Sequence, residues 1–361
     1  MSKLPALRMR IDSIDDQLLA LLNARASVVE KVYAEKLGQA AKGGKVEAFV
    51  PGREAEIQRR LVKANKGPFP KDAIPAVFRE VISGCRSLEI VPGIAYFGLP
   101  GSNTHQAALN VFGAQGQFLP QAGIPGVFEE VEQGRADYGV VPRENSTEGA
   151  ILHTLDLFSA SDLKVCAEVN LAIRPSLLSR GGKLAKVRRV LSHPQALGQS
   201  RQWLAKHLPQ ASVEAAASTT AAAQAAAADR SGAIAAIASP IAAGIYGLQT
   251  VAKGIQDSND NTTRFFVIGR TLAKPTGADK TSVMLSIRDR VGALASVLKP
   301  FEKHKVNLTS IESRPSRRKA WDYYFFIDFH GHQDEPKVAR LLKDLAAQVA
   351  QLKVLGSYPA A

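Results

Sequence analysis

Apolar residues recur at helical spacing from Leu7 through Ile11, Ile14, Leu18, Leu21, Leu22, Val28, Val29 and Val32, and neither proline nor glycine interrupts the run between Pro5 and Gly38. A period of 3.6 held for so long predicts one helix over 4–36. Its apolar stripe needs partners to cover it. A glycine-rich loop over 42–52 ends in Pro51-Gly52, and two more helices are predicted near 53–65 and 71–89. Residues 1–91 therefore read as one all-helical domain.

At Pro92-Gly93 the pattern changes. Short β-type runs, IAYFG (94–98), DYGVV (137–141), LKVCAEV (163–169), VRRVLS (187–192), GAIAAI (232–237) and RFFVIG (264–269), alternate with helical stretches. That alternation predicts an α/β sheet architecture over 92–271. The alanine-rich run at 215–229 reads as a plain packed helix, because alanine is the best helix former. LAKPTGADK (272–280) reads as a linker. Beyond it, strand SVMLSI (282–287), a helix with Leu294, Val297, Leu298 and Phe301, strands near 306–314 and 321–330, a second helix and a short last strand give a βαββαβ order over 281–361. That is the size and order of a small α+β regulatory module.

Composition adds little to this picture: 45% hydrophobic and 22% charged residues in a chain of 361 fit a globular protein of two or three domains. Two cysteines, Cys85 and Cys166, imply no disulfide framework and point to a reducing, cytoplasmic setting. The N-terminus is charged from the start and has no apolar signal core. The weakly polar stretch 233–248 is too short for a membrane span and contains Pro240. The net charge of +13 changes more, since it suits nucleic acid, membranes or acidic small molecules. The basic residues are scattered, with one cluster at Arg317, Arg318 and Lys319, and no nucleic-acid-binding signature accompanies them. Anionic small molecules are the better fit.

Four basic residues of the first segment stand out. Arg25 and Lys36 lie eleven residues apart, within roughly 20° of one helix face and about 16 Å along the axis, close enough for two long side chains to hold a small dianion. Arg8 lies about 25 Å before Arg25 on a different face. If it serves the same ligand, it does so in a partner subunit. With Arg53, these read first as ordinary surface charges on spacing alone. The string LRxxIDxxDxxLLxLLxxR (7–25), followed by Lys36 and PGRE (51–54), resembles the helical chorismate mutases that are fused to prephenate dehydratase. The resemblance implies a mutase site of Arg8, Arg25, Lys36, Arg53, Glu54, Cys85 and Glu89. Chorismate is a dianion that rearranges by a pericyclic step, so the site must fold the substrate and stabilise charge on the breaking ether oxygen. Arginine forks suit its carboxylates, and Glu54 would accept from the ring hydroxyl. Glu89 stands where some relatives carry glutamine, and a glutamate donates to the ether oxygen only when protonated. Val50 departs from the acidic residue of some relatives.

In the second segment, VVPRENSTEGAI (140–151), LSHPQALGQ (191–199), STTAAA (218–223) and DNTTRFFVIG (260–269) each sit where a strand ends or a helix begins. Such junctions expose free amides and favour anions. Singly, each reads as capping; Asn145 and Ser218 are good helix caps. Together with GLPGSNTHQAA (98–108) and YGLQ (246–249), they resemble prephenate dehydratase over 93–270, although Leu99 and Asn103 depart from its usual loop. The resemblance implies a two-lobed α/β fold with the site in its cleft. The implied lining is Glu144, Asn145, Ser192, Gln199, Thr263 and Arg264, and Ser218 is added to the substrate-binding candidates. Thr263 is the expected proton donor to the leaving hydroxyl, and Arg264 the expected holder of a carboxylate.

The last segment, 290–315, resembles the phenylalanine-binding ACT domain, with Val291 replacing a common proline. The implied effector residues are Gly292, Ala293, Leu294, Asn307, Leu308, Glu312 and Ser313; a plain dimerisation module is the other reading. The expected protein is then a bifunctional mutase and dehydratase of L-phenylalanine biosynthesis. It takes chorismate and prephenate, is inhibited by L-phenylalanine across a dimer or larger homo-oligomer, and needs no cofactor or metal. The alternative is a two-lobed binding or regulatory protein that has lost one or both activities.

Overall fold

The computed structural model describes residues 3–39, 47, 49–287, 290–315 and 323–361. Most of the glycine-rich loop and the Arg317, Arg318 and Lys319 cluster lie outside these. The chain forms two compact units, one of residues up to Gly93 with Phe112–Gln117, the other of Ile94–Val111 with Phe118–Ala361.

The first unit is helical: α1 (Leu4–Gln39), α2 (Pro51–Ala64) and α3 (Ala73–Arg86). Pro51 opens α2, where its missing N–H costs nothing. Helix α3 packs against both α1 and α2. Even so, α1 buries no residue, and Leu7, Ile11, Ile14, Leu18, Leu21 and Leu22 stay exposed along it. The predicted stripe is present and is uncovered within this chain.

The second unit begins with β1 (Gly93–Phe97), α4 (Asn103–Phe112), β2 (Gln117–Gln121), α5 (Ile124–Glu132), β3 (Tyr138–Asn145), β4 (Gly149–Ala150), α6 (Leu152–Phe158) and β5 (Lys164–Ala172). The chain then leaves for a second lobe: β6 (Ser176–Ser179), β7 (Arg189–Ser192), α7 (Pro194–Gly198), α8 (Arg201–His207), β8 (Ser212–Ala215), α9 (Thr219–Ala228), β9 (Ile234–Ala238), α10 (Ile241–Tyr246) and β10 (Gln249–Ala252). It returns in β11 (Thr262–Gly269), which inserts between β3 and β5. The sheet orders are β2-β1-β3-β11-β5 in the first lobe and β10-β6-β9-β7-β8 in the second. The two crossover segments are tied where Ile173 N–H donates to the Asn261 carbonyl at 2.8 Å. This is the expected two-lobed α/β architecture; β2, β4, β6, β8 and β10 are strands the sequence pattern did not reveal.

The remaining chain is β12 (Asp279–Ser286), α11 (Ala293–Lys303), β13 (Leu308–Pro315), β14 (Tyr323–His330), α12 (Pro336–Ala346) and β15 (Gln351–Pro359). The βαββαβ order holds, in an antiparallel sheet β13-β14-β12-β15. The last strand is not short: it runs nine residues. Nor is 272–280 a free linker throughout, because β12 already starts at the buried Asp279, whose carboxylate accepts from Thr276 and Gly277 N–H. This sheet is covered on both faces. Ile327 and Phe329 pack with the α11 and α12 side chains Val297, Phe301, Leu341 and Leu345. Met284, Tyr324, Phe326 and Tyr358 share one core with Val141, Phe158, Val165 and Phe266 of the first lobe. Strand β15 lies against β5, and a Cβ at Gly356 would sit 2.1 Å from the Val165 carbonyl oxygen. That backbone cannot yield cheaply, so Gly356→Ala is expected to destabilise this docking by about 1–3 kcal/mol, read as a lower urea midpoint for the second unit.

Candidate active sites

One candidate site is a cleft of about 710 Å³ in the second unit. Both lobes contribute: Phe97–Leu99, Ser102 to Thr104, Asn145, Thr263 and Phe265 from the first, His193, Gln195, Gln199 and Ser218 to Thr220 from the second. Helices α4 and α9 both begin at its wall, so their first amides are available to an anion.

A chain of side-chain hydrogen bonds crosses the cleft floor. Thr147 N–H donates to Asn145 Oδ1 at 3.0 Å, and the Thr147 hydroxyl bonds the same oxygen. The backbone donor fixes which end of the Asn145 amide is oxygen. Asn145 Nδ2 therefore donates to Asn261 Oδ1 and to Thr263 Oγ1, both at 2.8 Å, and Asn261 Nδ2 donates on to Gln199 Oε1 at 2.8 Å. The Thr263 oxygen is thus an acceptor here, which leaves its own O–H, among the described residues, free to donate at the cleft. Asn145 and Thr263 face each other because they are paired in register across β3 and β11.

Asn145, Gln199, Thr263 and Ser218 are brought to this cleft. Ser218 also caps α9, accepting from Ala221 N–H at 3.0 Å. Three other expected residues are not. Glu144 and Arg264 are the strand neighbours of Asn145 and Thr263, and successive side chains of a strand point to opposite faces. Arg264 turns away from the cleft and binds Glu168, Asp328 and Tyr358 instead. Ser192 is fully buried, its hydroxyl donating to the Ile237 carbonyl at 2.6 Å. Asn261, His193, Gln195 and Glu148 line the cleft without having been singled out. Asn261 lies in the DNTTRFFVIG string, two residues before Thr263.

In the helical unit, Glu54 is drawn inward. Its carboxylate meets Arg86 Nη1 at 2.7 Å. Burial pushes the Glu54 carboxyl up, while Arg86 and, more weakly, Arg25 pull it down. Arg25 is half-buried, and its Nη1 is buried with no hydrogen-bond partner among the described residues. Lys36 Nζ lies 3.5 Å from Glu89 Oε2. Cys85 is buried on α3. Arg25, Lys36, Glu54 and Glu89 thus have inward or half-buried positions. Arg53 does not: it is exposed and pairs with Glu56 at 2.7 Å. Arg8 is exposed on α1. In the third segment, Gly292 adopts φ +75° immediately before α11, and a Cβ there would meet nothing within 4 Å. Ala293 and Leu294 start that helix, while Asn307, Leu308, Glu312 and Ser313 lie on or beside β13, exposed or half-exposed.

Three family models match the chain in this order: chorismate mutase type II over 7–90, prephenate dehydratase over 94–272 and the ACT domain over 281–347. The chain is 46% identical to the bifunctional chorismate mutase/prephenate dehydratase of Aquifex aeolicus, over 100% of this chain and 99% of the relative. It is 42% identical to the protein of the same name from Pseudomonas aeruginosa, over 99% and 98%. Among solved structures it is similar to prephenate dehydratase from Arthrobacter aurescens in complex with L-Phe, at 35% identity and a TM-score of 0.69, covering 74% of this chain and 90% of that one. With three matched segments in one order and end-to-end similarity at this level, the chain belongs to the bifunctional chorismate mutase/prephenate dehydratase family.

Proposed function

We propose that the protein isomerises chorismate to prephenate in its helical unit and converts prephenate to phenylpyruvate in the two-lobed cleft. L-phenylalanine acts on the ACT sheet as feedback inhibitor. The observation that carries the reading is the Asn145–Thr263 hydrogen bond in the lining of a cleft flanked by two helix starts. Prephenate dianion takes up one proton at its ring hydroxyl and loses water and carbon dioxide, leaving an aromatic ring and phenylpyruvate. Thr263 supplies that proton and is reprotonated from solvent water. The substrate carboxylates meet the amides and hydroxyls at the starts of α4 and α9, a role the sequence had offered to Arg264.

For the mutase, Arg25 and Lys36 hold the dianion, with Glu54, Cys85 and Glu89 around the ring and ether oxygen. The exposed stripe of α1 is covered by a second copy, which contributes its own Arg8. Arg53 joins the site only by leaving Glu56. The effector residues are Gly292 to Leu294 and Asn307, Leu308, Glu312 and Ser313, and domain limits of 1–91, 92–271 and 281–361 follow from the same division. The net charge of +13 draws the anionic substrates. No helix among the described residues is long and apolar enough to cross a membrane, and the cytoplasm is the proposed location.

The full chain supplied with chorismate is expected to release prephenate and then phenylpyruvate, with phenylpyruvate formation suppressed by L-phenylalanine that binds in calorimetry. Prephenate accumulating without phenylpyruvate would leave only the mutase. Absence of calorimetric binding would remove the sensor.

A further inference from the structure

Arg264 looked like a substrate ligand in the sequence, yet its surroundings are those of a joint. Its Nε donates to Glu168 of β5 at 2.6 Å, its Nη1 to Asp328 of β14 at 2.7 Å and its Nη2 to the Tyr358 hydroxyl of β15 at 3.0 Å. The guanidinium lies over the Phe266 ring, 5.0 Å from its centroid. Glu168 also accepts from Lys280 of β12 at 2.7 Å and from Ala361 N–H at 3.0 Å. Ser282 of β12 bonds Asp328 at 2.5 Å and the Tyr358 hydroxyl at 2.6 Å. Arg143 of β3, itself fully buried, stands 3.8 Å from Asp328. Glu144, half-exposed, is 3.8 Å from Arg264. Three strands of the ACT sheet and three of the first lobe thus meet in one buried polar cluster. Leaving a buried charge without its partner is strongly unfavourable, so these contacts are held together.

The two ends of this cluster matter. On one side, Arg264 is the next residue after Thr263, and the rigid peptide plane between them links their positions. On the other, Asp328 is paired across the ladder with Ser310 of β13, between Leu308, paired with Phe329, and Glu312, paired with Phe326. Those flanking residues are the proposed effector positions. From effector strand to catalytic hydroxyl the path is therefore β13, Asp328, Arg264, Thr263.

We propose that Arg264 is a positioning residue through which the ACT sheet sets the placement of Thr263 and Asn145, so that the Asp328–Arg264 pair carries the effector's influence to the dehydratase cleft. This rests on the L-phenylalanine reading above. Allosteric couplings between two sites typically amount to about 5–150-fold, and here the coupling acts on turnover.

The test uses the full chain carrying Asp328→Asn or Tyr358→Phe, neither of which lies in a substrate or effector site. Dehydratase kcat and KM for prephenate, L-phenylalanine binding by calorimetry, and the ratio of dehydratase rates without and with saturating L-phenylalanine are measured. In Asp328→Asn, effector affinity is expected to stay within about threefold, KM within about threefold, kcat to fall about tenfold, and the inhibition ratio to shrink at least about fivefold. An inhibition ratio equal to the parent's, at parental effector affinity, overturns the inference. Should Asp328→Asn fail to fold, Tyr358→Phe decides on the same readouts, since it removes only one hydroxyl; an unchanged inhibition ratio there overturns the inference. If the parent chain itself binds no L-phenylalanine, the regulatory reading fails separately. The positioning role is then judged on kcat alone, and an unchanged kcat overturns it.

Discussion

Thr263→Ala is expected to lower the dehydratase kcat by about 10²–10⁴-fold, the usual contribution of one general acid, while mutase turnover on chorismate stays at the parental level. In barrier height that is about 2.7–5.4 kcal/mol. The argument rests on the direction of one hydrogen bond. Thr147 N–H fixes the Asn145 amide, Asn145 Nδ2 donates to Thr263, and the threonine's own proton is not used in that bond. An alcohol is a weak acid, so the environment must help. Donation from Asn145 makes the threonine oxygen a better carrier of negative charge as its proton leaves. Thr263→Ser keeps the hydroxyl and is expected to retain most of the rate, which separates proton donation from packing. Phenylpyruvate formation from prephenate is the measurement, and full turnover in Thr263→Ala would remove the assignment.

How far the sequence could be read depended on which periodicity carried the information. Helix α1 was legible because nothing interrupts its 3.6-residue repeat, and its uncovered stripe is the feature the repeat predicts. The α/β alternation was legible from its buried central strands. The strands that escaped notice are short or lie at sheet edges: β2 carries Pro120, and β8 and β10 terminate the second lobe's sheet. The cleft residues Asn145, Gln199 and Thr263 were found, but resemblance supplies positions without orientations. A period of two assigns Thr263 and Arg264 to opposite faces, and the same rule pairs Glu144 with Arg264 rather than with the cleft. Ser192 fails for another reason: its place in a strand does not reveal that the Ile237 carbonyl claims its hydroxyl. The docking of the ACT sheet did leave a trace. YYFFIDFH (323–330) is apolar at alternate and intervening positions alike, as a strand covered on both faces must be. Its two faces divide between the first lobe's core and the α11–α12 core.

Arg25→Ala is expected to reduce mutase kcat by about 10²–10³-fold, the cost of removing one donor to a developing anion, with prephenate still dehydrated at the parental rate. Buried polar atoms are almost always partnered, and Arg25 Nη1 has no partner among the described residues. A substrate carboxylate or ether oxygen is the group that would complete it. Its neighbour Glu54 does not complete it in this structure, where that carboxylate meets Arg86 at 2.7 Å. Arg25→Lys keeps the charge and loses the two-pronged geometry, so an intermediate loss is expected. Arg53→Ala is the informative comparison. Its exposed pair with Glu56 is worth at most about 1 kcal/mol to stability, so any large loss of mutase activity in that variant comes from the reaction and not from folding. Chorismate consumption followed in the three variants orders the contributions. If Arg53→Ala loses more than Arg25→Ala, the arginine fork belongs to α2, and Arg53 must exchange Glu56 for the substrate as chorismate binds.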